Sequence, residues 1–83
     1  MTREEIFAVV RSHIVNIVEG VPVDAIVEDV SMRDLGADSL QIVEVVSRSM
    51  KELRLKVQRT ELSRARNLSD LLDLFEKAAA ARA

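Results

Sequence analysis

The sequence predicts an all-α fold, a small four-helix bundle of three main helices plus one short third helix, with a long loop joining the first two. Three observations carry that expectation. The 83 residues include only two glycines and one proline, few places for the tight turns of a β protein. Apolar side chains recur at three- and four-residue intervals, the spacing of a buried helical stripe. Residue pairs suited to helix capping stand at the heads of these periodic segments. At 48% hydrophobic and 31% charged, the chain is too apolar to remain disordered, and its length allows one core. A single domain over residues 1–83 follows, ordered over about residues 3–77.

Thr2 and Glu5 form the capping pattern of the first helix, expected over residues 3–18. Its stripe is Ile6, Phe7, Val9, Val10, Ile14, Ile17 and Val18. Gly20 and Pro22 stop it, because glycine accepts the left-handed conformation and proline disfavours helical geometry in the residue before it. A connection from Val21 to Asp38 is longer than most loops in small domains, so Val23, Ile26, Val30, Met32 and Leu35 are expected to pin it to the core. Asp38 caps a second helix from Ser39 to Leu53, with Leu40, Val43, Val46, Met50 and Leu53 at helical spacing. A short third helix fits Thr60 to Ala65. Asn67 and Asp70 open a last helix from Leu68 to Lys77 or slightly beyond, and the alanine-rich end is expected to fray.

Composition excludes much chemistry. Without cysteine there is no disulfide and no Cys-based zinc site, and one histidine, His13, cannot build a multi-histidine metal site. No apolar run approaches the length of a membrane span, and acids at Glu4 and Glu5 do not suit a signal peptide, so the expected compartment is the cytoplasm. The net charge of −2 is unevenly spread. Residues 1–47 hold three basic and nine acidic side chains, whereas residues 48–83 hold nine basic and five acidic. Such asymmetry points to charge-selective partners or to two differently solvated faces.

Catalytic constellations are missing. His13 sits mid-helix as a boundary residue, Glu4-Glu5 and Glu28-Asp29 read as solvated acids, and Gly20 and Gly36 are too far apart for a phosphate loop. One segment stands out: Asp34-Leu35-Gly36-Ala37-Asp38-Ser39-Leu40. It sets glycine before a helix, an acid at the cap and a hydroxyl in the first turn, where free amides and the helix dipole favour an anion. Leu35 and Leu40 are expected to bury on either side, pointing Ser39 outward. The spacing alone is better met by a serine that merely opens a helix.

Leu35-Gly36-Ala37-Asp38-Ser39-Leu40, followed by Glu44 and Val45-Val46, closely resembles the attachment motif of acyl carrier proteins, and the order of helices and loop extends the resemblance over nearly the whole chain. The resemblance implies a non-catalytic carrier. Ser39 would receive 4′-phosphopantetheine from coenzyme A through a phosphopantetheinyl transferase, with Gly36, Asp38 and Leu40 beside it. Asp38 would also help the transferase and its metal ion find the serine. The arm's thiol would hold acyl groups as thioesters, so that a cysteine-free protein handles thiol chemistry through its cofactor. Val43, Val46, Met50 and Val57 could shelter part of an acyl chain, although a plain core role suits each of them better.

Partners, by the same resemblance, would read Asp34, Gln41, Glu44, Val45, Arg48 and Lys51 on the second helix and its approach. Fatty-acid carriers keep that helix acidic; here Gln41 replaces a usual acid, and Arg48, Lys51 and Arg54 make its later part basic. The second half, Ser49 to Val57 and Arg59 to Leu62, is more similar to discrete carriers of polyketide or hybrid polyketide–peptide pathways. Some of these deliver a small acyl group to a hydroxymethylglutaryl-synthase-type enzyme that installs a β-branch. Acyltransferases, ketosynthases or β-branching enzymes are thus the implied partners of a monomer. From Met1 to the end of the last helix the chain reads as free-standing, and a domain cut from a larger synthase would read alike. A peptidyl or aminoacyl carrier, or a fatty-acid synthase carrier, remains an alternative. Nucleic-acid binding is a remote one, because the run from Arg48 to Arg66 has seven basic residues but no interleaved aromatics.

Overall fold

The computed structural model describes residues 1–82 and is all-helical among them. Its elements are α1 (Arg3–Ile17), α2 (Ser39–Leu53), the single-turn α3 (Arg59–Leu62) and α4 (Leu68–Arg82), with one 3-10 turn at Val23–Ala25. The Thr2 hydroxyl accepts from the Glu5 amide at 3.2 Å, and the Glu5 carboxylate accepts from the Thr2 amide at 2.8 Å. That return bond holds the Glu5 carboxyl below its usual range. Ile6, Val10 and Ile14 make the fully buried edge of α1 and face Val45 of α2 and Leu68, Leu72 and Phe75 of α4 across one core. Gly20, at φ 77, turns the chain out of α1.

The long loop is tied down by α4 as well as by its own side chains. Leu68 and Ser69, whose amides open α4, donate to Val30 O at 2.9 Å and Glu28 O at 2.8 Å. Orphan donors at a helix start are thereby satisfied by loop carbonyls. Ile26 and Met32 are buried, and Val30 and Leu35 pack partly against the core. Val23 departs from expectation at 54% exposed. It opens the 3-10 turn, in which Ala25 and Ile26 donate to Pro22 O and Val23 O, and the turn spends its inward position on Ile26.

The buried side of α2 also differs from the expected stripe. Val45, Val46, Ser49 and Leu53 are buried, whereas Leu40 and Val43 are 77% and 57% exposed. α1 packs on the face centred on Val45 and Ser49, which turns Leu40 to solvent; the expectation that Leu40 buries beside the loop is therefore corrected. α2 ends at Arg54, which adopts the left-handed conformation at φ 57 that glycine more often supplies.

α3 spans less than the expected Thr60–Ala65, and the chain continues in turns, with Arg64 donating to Glu61 O and Ala65 to Leu62 O. Asn67 caps α4 by accepting from the Asp70 amide at 2.9 Å. α4 then runs to Arg82, beyond the Lys77 at which the sequence placed its end; Ala83 lies outside the described residues. Alanine is the best helix former, and Arg82 rewards the extension by donating to Leu53 O at 2.9 Å and Arg54 O at 2.8 Å at the end of α2.

Candidate functional site

Ser39 is the first residue of α2 and is exposed. Asp38 positions it: the Asp38 carboxylate accepts from the Gln41 amide at 2.8 Å, and the Gln41 side-chain oxygen accepts from the Asp38 amide at 3.0 Å. The helix start is thus closed by a reciprocal cap. The approach is equally defined. Leu35 and Ala37 donate to Met32 O at 3.1 and 3.0 Å, Gly36 donates to Arg33 O at 3.0 Å, and Met32 and Ala37 are buried. Gly36 takes φ 95 within this turn, which is the reason for a glycine there.

Ser39, Val43, Val46 and Met50 follow one another at four-, three- and four-residue steps, so they form a row along one flank of α2. That row ends in a cleft. Val43, Val46 and Met50 line it together with Met32, Val57 and Leu62, around an open volume of about 620 Å³ between α2, the α3 region and the start of α4. All four residues singled out as acyl-shelter candidates, Val43, Val46, Met50 and Val57, meet here. Arg33, Arg59 and Arg66 also line the cleft, and among the described residues no acidic one does.

The partner residues divide. Asp34, Arg48 and Lys51 are exposed, and Glu44 is partly exposed and paired with Arg48 at 3.1 Å. Val45 is corrected: it is fully buried against α1 and offers nothing to a partner. Gln41 is occupied by the Asp38 cap, and its side-chain nitrogen donates to Ile17 O at 3.3 Å, so it serves the α1–α2 junction. The sequence reading missed Arg33, whose Nη2 donates to Ser39 Oγ at 2.9 Å. The pair stands six positions apart across an irregular turn, so no helical or strand spacing announces the contact.

An exposed hydroxyl on a rigid cap, heading a row of apolar side chains into an open cleft, fits a flexible phosphopantetheine arm attached at the hydroxyl and resting along the row. Comparison with known proteins identifies a family in which such an arm is attached. The family described as phosphopantetheine attachment site matches residues 13–75. The acyl carrier protein of Thermotoga maritima is 35% identical over 77 residues, 92% of this chain and 94% of the relative. The polyketide biosynthesis acyl-carrier-protein AcpK of Bacillus subtilis is 28% identical over 93% of this chain and 95% of its own. Among solved structures, a chain from the crystal structure of the curacin biosynthetic pathway HMG synthase in complex with acetyl donor-ACP superposes with a TM-score of 0.76. It is 30% identical over 95% of this chain and 99% of that one.

Proposed function

We propose, given that this chain belongs to the acyl carrier proteins with their phosphopantetheine attachment site, that Ser39 carries the arm and that the protein delivers small acyl groups to a β-branching enzyme of polyketide-type biosynthesis. As a family member the chain is a carrier, not an enzyme, and its cofactor is covalent 4′-phosphopantetheine, whose thiol supplies the thioester link. Everything else falls to the chain's own residues. Asp38 and Gln41 fix the start of α2 so that Ser39 Oγ faces outward. When a transferase loads the protein, Ser39 Oγ forms a bond to the β-phosphorus of coenzyme A. The pyrophosphate bridge would break, adenosine 3′,5′-bisphosphate would leave, and the serine proton would pass to a base of the transferase or to water.

The observation that carries the reading is the row from Ser39 through Val43, Val46 and Met50 into the cleft, because it joins an attachment point to an apolar resting place. Two further facts support the donor role: the likeness to a chain from a complex of an HMG synthase with an acetyl donor carrier, and the basic distal part of α2. Arg48 and Lys51 stand exposed there, and Leu40 and Val43 are exposed on the earlier turns of the same helix, so the two charges would steer an acidic enzyme surface toward α2.

The test separates partner from transferase. Acetyl-loaded wild type and the double variant Arg48→Glu, Lys51→Glu are offered to a β-branching synthase, and the rate of acetyl transfer is measured. Reversal is expected to slow transfer by about tenfold or more at low salt while loading by the transferase changes by less than about twofold. Equal loss in both reactions contradicts a separate partner patch, and failure of the wild type to donate contradicts the donor role.

A further inference from the structure

We infer that Arg33 is a clamp for the phosphodiester that attachment places on Ser39, an inference that rests on the attachment reading above. The Arg33 Nη2 to Ser39 Oγ hydrogen bond of 2.9 Å sets a guanidinium beside the oxygen that becomes the ester bridge. A phosphodiester bonded to that oxygen carries one negative charge and two free oxygens, the acceptor pair that a planar guanidinium fork matches.

Arg33 is available for this role. Ser39 is its one side-chain partner among the described residues, and no carboxylate pairs with it there. Two acids of the same turn, Asp34 and Asp38, are engaged elsewhere. Asp34 Oδ2 accepts from the Ser31 amide at 3.1 Å, and Asp38 Oδ1 accepts from the Gln41 amide at 2.8 Å. Both carboxylates would repel a phosphodiester at Ser39, and Arg33 supplies the opposing charge. Its backbone is held by the turn on buried Met32, where Gly36 donates to Arg33 O at 3.0 Å. Arg33 also lines the cleft. A phosphodiester held by Arg33 therefore starts the arm at the cleft's mouth, biasing it toward the row of Val43, Val46 and Met50.

The experiment compares the unmodified and modified protein in wild type, Arg33→Ala and Arg33→Lys, with attachment verified by intact mass. Nitrogen-15 spectra read the Arg33 Nε–Hε signal, and thermal melts read the change in Tm on modification. Attachment is expected to shift the Arg33 signal and slow its exchange with water. The Tm change on modification is expected to be less favourable in Arg33→Ala than in wild type by about 2–4 °C at low salt. Arg33→Lys should restore part of the difference, and about 1 M salt should close it. The unmodified variants should melt with the wild type, because Arg33 is exposed. An unmoved Arg33 signal in modified protein, or equal Tm changes in wild type and Arg33→Ala, overturns the clamp and leaves the attachment reading standing. A mass that does not rise overturns both.

Discussion

Ser39 and Ser49 lie on the same helix in opposite surroundings. Ser39 is exposed and bonded to Arg33, whereas Ser49 is completely buried and its hydroxyl has no hydrogen-bond partner among the described residues. A buried hydroxyl without a partner loses its hydration and gains nothing for it. Ser49→Ala keeps the helix, removes one oxygen from the core and is expected to stabilise the protein by about 1 kcal/mol, raising Tm by about 4–8 °C. Thermal denaturation followed by circular dichroism checks it; a lower Tm would mean that the hydroxyl supports the core. At this scale the sequence was legible where spacing is local. Thr2 with Glu5, Asp38 as the cap of α2 and Asn67 with Asp70 are short-range pairs. Arg33 with Ser39 was illegible because it depends on the path of an irregular turn.

The elements are held at their ends by long-range contacts that no periodicity displays. Arg3, at the head of α1, pairs with Glu28 of the loop at 2.7 Å, with Asp73 of α4 at 2.7 Å and with Glu76 of α4. Hydrogen bonding to Arg3 holds the Glu28 carboxyl below its usual range. A lowered folded-state pKa means that the stabilisation is complete above the usual glutamate range and disappears as pH falls through the depressed value. Arg3→Met is therefore expected to lower Tm most near neutral pH, with the gap to wild type narrowing on acidification below the usual glutamate range. Melts across that range read the effect, and a constant gap would assign Arg3 a packing role instead. Other element ends show the same limit on sequence reading. The alanine-rich end of α4 carries no large apolar side chain to signal burial, yet Arg82 reaches the carbonyls of Leu53 and Arg54 and the helix continues. Leu40 and Val43 fit a helical period, but that period also fits the neighbouring stripe through Val45 and Ser49, and only packing against α1 decides between them.

Across the whole molecule, the division of charge acquires a spatial meaning. The acidic first half of the sequence includes Asp34 and Asp38 around Ser39, and the basic second half includes Arg48 and Lys51 further along α2 and Arg59 and Arg66 at the cleft. Arg33 is an exception within the acidic half, beside the one oxygen where a negative group is expected to be added. The fold class, the helix order and the motif were legible in the sequence because each is written in neighbouring residues or a short repeat. The cleft was legible only as scattered candidates, since Val57 and Met32 reach Val43, Val46 and Met50 through the tertiary fold. The central claim is that Ser39 alone carries the arm. Intact mass after incubation with coenzyme A and a promiscuous phosphopantetheinyl transferase tests it most directly, with site mapping by peptide fragmentation. Wild type should gain one 4′-phosphopantetheine at Ser39, and Ser39→Ala, still capped by Asp38 and folded by circular dichroism, should gain none. An unchanged wild-type mass beside a competent control carrier, or modification of Ser39→Ala, would contradict it.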